Sequence, residues 1–181
     1  MIRSPRKIHK YLSLAISIQL LLWTISGIYF SFNNIEDVRG SQYLKPKEVI
    51  ETAKGIKIEA QQALILVAEK TYLTPKAVIE ITEEESGAEY RGRTLPLYKI
   101  EATSAKDEEI SVYVDPFSKE IVAVRSNQWR IWDFMWGIHI MDWDERDNIG
   151  KIFLKIFSIL ALLSALSGIY LFFTSSNKIK N

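Results

Sequence analysis

No cysteine occurs in the chain, which excludes disulfides, thiolate metal sites, iron–sulfur clusters, covalent haem attachment through a Cys pair and cysteine nucleophiles. Histidine is almost as scarce: His9 and His139 are the only two. Acidic residues are missing from both ends, where residues 1–35 and 148–181 hold eight Lys or Arg and neither Asp nor Glu. All 22 acids lie between Glu36 and Asp147 with 15 bases, a net −7 for that segment, so the overall charge of +1 is a cancellation. No strong basic surface remains for nucleic acid, which is excluded as a partner. Motifs of enzyme chemistry are absent too, with no Gly-x-Ser-x-Gly, no phosphate-cradling glycine loop and no flavin or nicotinamide motif. At 181 residues the chain has room for one domain with appendages.

Two long apolar runs are present. Tyr11 to Phe32 holds 22 residues without a charge, enough for a helix to cross a hydrocarbon layer of about 30 Å. It ends in Gly27, Ile28, Tyr29 and Phe30 without a small-x-small cleavage site, so an uncleaved anchor is expected. Ile152 to Phe173 is interrupted only by Lys155 in its first turn, where a long side chain can snorkel to the headgroups. Arg3, Arg6, Lys7 and Lys10 precede the first run, and Lys178 and Lys180 follow the second. The positive-inside rule then places both termini in the cytoplasm, with Lys151 and Lys155 weighing weakly the other way. The expected order is a cytoplasmic segment 1–10, a span 11–32, an extracytoplasmic domain 33–127, a Trp-rich interfacial segment 128–150, a span 151–173 and a cytoplasmic tail 174–181. Lipid is the first partner this implies, and basic flanks without cysteine suit a bacterial inner membrane. The runs share Ser-Ile near the start and Ser-Gly-Ile-Tyr near the end, a weak internal repeat. Gly27 with Ser26, and Gly168 with Ser164 and Ser167, provide small surfaces for close helix approach, although such residues are also common in membrane helices.

Between the runs the pattern is that of a small α+β unit. Residues 45–71 are rich in helix formers, with Ala63, Leu64, Val67 and Ala68 on one apolar face. Short alternating runs at Ala77–Ile81, Leu97–Ala102, Ile110–Val114 and Ile121–Val124 predict antiparallel strands, the last two joined by a hairpin that opens at Asp115-Pro116. Glu83 to Arg93 is expected to be an exposed loop or a longer hairpin turn, with Glu83, Glu84 and Glu85 solvated.

The hairpin Val112-Tyr113-Val114-Asp115-Pro116-Phe117-Ser118-Lys119-Glu120-Ile121 resembles the last hairpin of a PepSY domain, with Ser118 and Lys119 where Thr and Gly are usual. Arg6 to Leu14 is similar to the opening of PepSY-associated transmembrane helices, from which Tyr11 and Ser13 depart, and the His-bearing approach to the second span completes the order. Nearly the whole chain takes part in the resemblance. It implies an α+β membrane protein in which two transmembrane helices bracket an extracytoplasmic PepSY-like domain, a helix packed on antiparallel strands. Larger members of the family, similar to two such units joined, are associated with haem-dependent reduction of ferric siderophores across the inner membrane.

Trp129, Trp132, Trp136 and His139 recur at i, i+3, i+7 and i+10, one face of a helix. Such a face either lies in the headgroup layer or, functionally, forms one wall of an apolar pocket in which His139 is an axial ligand to haem. His9 stands at the cytoplasmic end of the first span, about 30 Å from the level of His139, so one chain cannot bring both to a single iron. A homodimer provides four helices and a pair of each histidine, each pair able to clamp one haem b. The site residues expected on this basis are His9 and His139 at the iron and Trp132 and Trp136 along the pocket. His139 can also be grouped with Asp142, Asp144, Glu145 and Asp147 as an oxygen-rich metal site, against which a capped, solvated corner is the plainer interpretation. Two functions follow: electron transfer through haem to an acceptor such as ferric iron, as a dimer or accessory subunit of a partner membrane protein, or a non-enzymatic module that restrains a protease or supports assembly of a complex.

Overall fold

The computed structural model describes residues 5–46 and 55–176. Arg3, Lys178 and Lys180, and the part of the helix-rich stretch at 47–54, lie outside the described residues. The chain forms two compact units, one of residues 30–134 and one that joins the segment up to Tyr29 with the segment from Met135 onward.

In the second of these, α1 (Pro5–Phe32) and α5 (Ile152–Ser176) are, among the described residues, the two helices long and apolar enough to cross a membrane. Each has one inward stripe at three- and four-residue spacing: His9, Ser13, Ile16, Gln19, Trp23 and Ser26 on α1, and Phe157, Leu160, Ala161, Ser164 and Gly168 on α5. The stripes meet antiparallel, since Ser13 bonds Ser164 while His9 bonds Ser167. Elsewhere the helices carry bare Leu14, Ile18, Leu21, Ile159, Leu162 and Phe172. An all-apolar exterior around a small-residue seam is what lipid requires, because helix association there depends on close packing and interhelical hydrogen bonds. Gly168 serves that purpose, for a Cβ at this position would come within 3.2 Å of the His9 ring. Gly27 does not: a Cβ there meets nothing within 4 Å, so the small-residue signal holds for Ser26, Ser164, Ser167 and Gly168 but not for Gly27.

The other unit is a four-stranded antiparallel sheet in the order β1 (Thr74–Ile81), β2 (Leu97–Thr103), β3 (Glu109–Asp115), β4 (Glu120–Arg125). Short helix α2 (Ile35–Val38) and a turn of 3-10 helix (Ser41–Tyr43) precede it. Helix α3 (Ala60–Lys70) covers one face, where Ala63 and Val67 pack on Tyr98, Ile100, Ile110, Val112, Val114 and Val124. Period-two burial in β2 and period-3.6 burial in α3 fix which side chains enter this core. Gly40 (φ +83°) lets the chain turn hard against β4, since a Cβ would lie 2.8 Å from Val124.

Behind the sheet a smaller cluster forms around Leu97, Tyr113 and Ala123, capped by Tyr90 and Leu95. The loop expected to be exposed is so at Glu83–Ser86 and at Gly92 and Arg93, whereas Gly87–Arg91 are half-buried. Tyr90 packs on Tyr113 at 5.9 Å between ring centroids, and Glu89 accepts the Tyr113 hydroxyl. A sheet with both faces apolar must be covered twice, and with α3 on one side the loop supplies the second cover.

In the expected β3–β4 hairpin the Asp115 carboxylate accepts the amides of Phe117 and Ser118, an Asx turn. Lys119 takes φ +59°, the left-handed conformation that suits glycine. Its carbonyl accepts from Lys70, a bond any residue at 119 retains. Lys119→Gly is therefore expected to raise stability by about 0.5 kcal/mol, the relief of left-handed strain less the extra entropy of an unfolded glycine. Urea unfolding of the detergent-solubilised chain reads this directly, and a loss of stability would refute it.

Candidate functional site

Helix α4 (Asn127–Ile140) carries the tryptophans. Ser126 starts it, its hydroxyl accepting the amide of Trp129 as an N-cap. The helix ends in two reverse bonds, Met141 N–H to the Ile138 carbonyl and Asp142 N–H to the Gly137 carbonyl, with Met141 left-handed at φ +56°. This is a Schellman ending with Met where Gly is usual. His139 thus stands in a locked final turn.

Trp129, Trp132, Trp136 and His139 do share the inward face of α4, while Ile131 and Phe134 face out. Their surroundings differ, however. Trp129 is buried beneath Arg125, whose guanidinium lies 4.1 Å from the ring centroid. Trp132 packs on Phe30 at 5.3 Å. Trp136 meets His139, stacked nearly parallel (10°) at 6.3 Å, with Trp23 tilted across the imidazole at 6.5 Å.

Both histidines are held in the same way. The Nδ1 of His139 pairs with the Ser26 hydroxyl at 2.8 Å, and the Nδ1 of His9 pairs with the Ser167 hydroxyl at 2.7 Å. Ser26 and Ser167 are the serines of the two Ser-Gly-Ile-Tyr repeats. Each histidine lies at or ahead of the start of one span and is bound by the repeat serine of the other, so the internal repeat becomes a reciprocal pair of His–Ser contacts. The Trp23 indole donates to the His139 carbonyl at 2.7 Å, which pins the same turn from its backbone. Burial holds the His139 pKa below its ordinary value and favours the neutral imidazole, the form that ligates metals. His9 and Ser26 are 17 positions apart on α1, about 25 Å along the axis, so the two imidazoles occupy separate levels. Gln19 sits between them, buried, and its amide nitrogen has no hydrogen-bond partner among the described residues.

The acidic corner is structural. Asp142, Glu145 and Asp147 come together, but the buried Asp142 carboxylate already accepts the amides of Glu145, Asp147 and Asn148 and faces the Lys151 ammonium at 3.3 Å. Its lone pairs organise the turn into α5, as the solvated-corner interpretation has it.

A description of the PepSY-associated TM region matches residues 6–180. The chain belongs to this family. No curated protein and no solved structure matches it. This PepSY-associated chain is thus an α+β membrane protein, two apolar helices flanking a helix-covered antiparallel sheet. Sequence patterning missed the residues that fix its histidines: Ser26 and Ser167 stood out only as small residues suited to helix packing. It also missed a cluster of arginines. Arg39, Arg93 and Arg125 line one cleft with Trp129 and Trp132.

Proposed function

We propose that this protein is a haem-binding redox protein of the bacterial inner membrane, with both termini in the cytoplasm and the sheet domain outside, passing electrons to an extracytoplasmic acceptor such as ferric iron. The observation that carries this is the reciprocal fixing of both imidazoles through Nδ1 by Ser26 and Ser167. A metal-ligating histidine characteristically has its second nitrogen held by an outer partner that sets the tautomer and ring plane. The donor set fits a b-type haem: two oriented imidazoles and no thiolate, with Trp23 and Trp136 supplying flat apolar walls beside His139.

Bound there, haem would supply one-electron chemistry. The protein's part would be to hold each ring by its serine and to keep water from the Trp-lined side, with the Nε2 of His9 exchanging its 3.5 Å contact with the Ser13 hydroxyl for the iron. Because the two histidines of one chain stand at different levels, six-coordinate iron requires pairing, either of two copies or with another membrane subunit. Trp132 belongs to this site in the sequence-based expectation, and its ring packs on Phe30. Arg6, Lys7 and Lys10 at the start of α1 support the cytoplasmic assignment of the N-terminus.

The test is an absorption spectrum of the purified chain from haem-supplemented cells, air-oxidised and then dithionite-reduced. Sharp reduced α and β bands are expected, lost or strongly diminished in His139→Ala and in His9→Ala and shifted in Ser26→Ala. A colourless wild-type protein, or bands that survive both histidine substitutions, would overturn haem ligation and turn attention to the sheet domain as a protein-binding module.

A further inference from the structure

The sheet domain is acidic overall, yet three arginines converge in it. Arg39 from the turn after α2, Arg93 from the β1–β2 connection and Arg125 from the end of β4 line a cleft of about 320 Å³. Ile35, Val38 and Trp129 form apolar walls, so the lining combines cationic and apolar surface. Its volume falls at the small end of ligand sites, suited to a compact group rather than a folded chain.

Nearby acids are already engaged. Asp133 pairs with Arg91, and Glu89 takes Arg130 at 2.6 Å while accepting Tyr113. Arg39 has only an exposed, 3.4 Å contact to Glu36, the kind of pair worth little in water. The Arg93 guanidinium has no hydrogen bond or ion pair among the described residues. Arg125 is buried and donates through Nε to the Glu89 carbonyl and through Nη1 to the Val124 carbonyl, while its Nη2 has no hydrogen-bond partner among the described residues. Its burial and the neighbouring Arg93 charge depress its pKa to about 10, which leaves it cationic at neutral pH. Uncompensated positive charge beside a buried guanidinium is an electrostatic cost that an anion would relieve.

Chain connectivity says where such an anion comes from. Ile35 follows the last residue of α1, Phe32, by three positions, so the cleft wall lies within roughly 11 Å of the end of a membrane-spanning helix. Phosphate suits guanidinium through paired N–H donors, and Ile35, Val38 and Trp129 suit the glycerol and upper acyl carbons attached to it.

We propose that Arg39, Arg93 and Arg125 hold the phosphate of an anionic phospholipid headgroup in the leaflet at which α1 ends. The site is independent of haem and of the two histidines. The test uses the full chain in neutral detergent, titrated with dioleoylphosphatidylglycerol, with dioleoylphosphatidylcholine and with inorganic phosphate, and read by native mass spectrometry and thermal shift. Wild type is expected to bind the anionic lipid about tenfold more tightly than the zwitterionic one, and Arg39→Gln/Arg93→Gln to erase about that factor. Both residues are exposed, so folding survives their exchange, and unchanged circular dichroism verifies this. Lys10→Gln, at the opposite end of α1, should leave the preference in place and so separates the cleft from general attraction to basic flanks. Equal lipid preference in wild type and the double variant would overturn the site. Stabilisation by inorganic phosphate without preference for phosphatidylglycerol, lost in the double variant, would place a free phosphate there and overturn the lipid assignment.

Discussion

Asp142→Ala is expected to cost about 3 kcal/mol and to make the segment 143–150 the first point of proteolytic cleavage in the detergent-solubilised protein. One buried carboxylate takes three backbone amides and faces a lysine, and alanine leaves all of them without that acceptor. The turn it organises packs against the end of α4, where Gly137 has no room for a Cβ because the Asp142 carbonyl lies 3.0 Å away. Loosening this turn should therefore free the helix turn that carries His139, and Asp142→Ala should broaden any haem spectrum while leaving His139 in the sequence. The pH dependence has a definite sign. Burial tends to raise the Asp142 pKa, but the amides of Asn148, Glu145 and Asp147 together with Lys151 outweigh it and hold the value below the ordinary carboxylate range. A lowered folded-state pKa contributes stability that is complete above the unfolded value, near 4, and is lost as pH falls through the folded one. Wild type should lose this stability on acidification below about pH 4, and Asp142→Asn should show a flatter profile there. Identical acid profiles for the two would refute the account.

Much of the fold was legible because local signals agreed. Apolar residues alternate through Leu97–Thr103 and Glu109–Asp115, and these segments form strands that pair antiparallel, as expected. Ala63 and Val67 supply the apolar face of α3, and Asp115-Pro116 opens the hairpin. The apolar spans and the shared face of the tryptophans followed from length and from period 3.6. What was not legible depends on tertiary placement. Nothing in Gly87–Arg93 distinguishes a solvated loop from one that covers a sheet face, since Tyr90 and Glu89 gain their roles only when Tyr113 is beneath them. Ser26 and Ser167 carried a partial signal in the Ser-Gly-Ile-Tyr repeat, but the hydroxyl partners are 113 and 158 positions away. Arg39, Arg93 and Arg125 come from three separate segments, and an acidic average charge concealed their convergence.

Asp133 is the clearest case of such a residue, and its removal is the other large expected effect. In Ile131-Trp132-Asp133-Phe134-Met135-Trp136 it is a lone acid in an apolar run, a pattern that on a helix signals a buried partner. Arg91 provides one, and the Asp133 side chain is only 2% exposed. Asp133→Ala should cost about 3 kcal/mol, because a mostly buried guanidinium then lacks its carboxylate while still lying against the Trp129 ring. Arg91→Leu should cost a similar amount by removing the guanidinium that faces the acid. Exchanging both for leucine removes both desolvation costs, so the double variant is expected to be more stable than Asp133→Leu or Arg91→Leu alone; with single losses of about 3 kcal/mol each, the coupling energy is then more negative than about −3 kcal/mol. Urea unfolding in mild detergent, followed by tryptophan fluorescence, measures all corners of the cycle. Additive losses would mean that the pair contributes nothing beyond its separate packing. The expected negative coupling identifies it as the clamp that holds the Gly87–Arg91 cover to the first half of α4, with its polarity fixing the register of that contact rather than adding net stability.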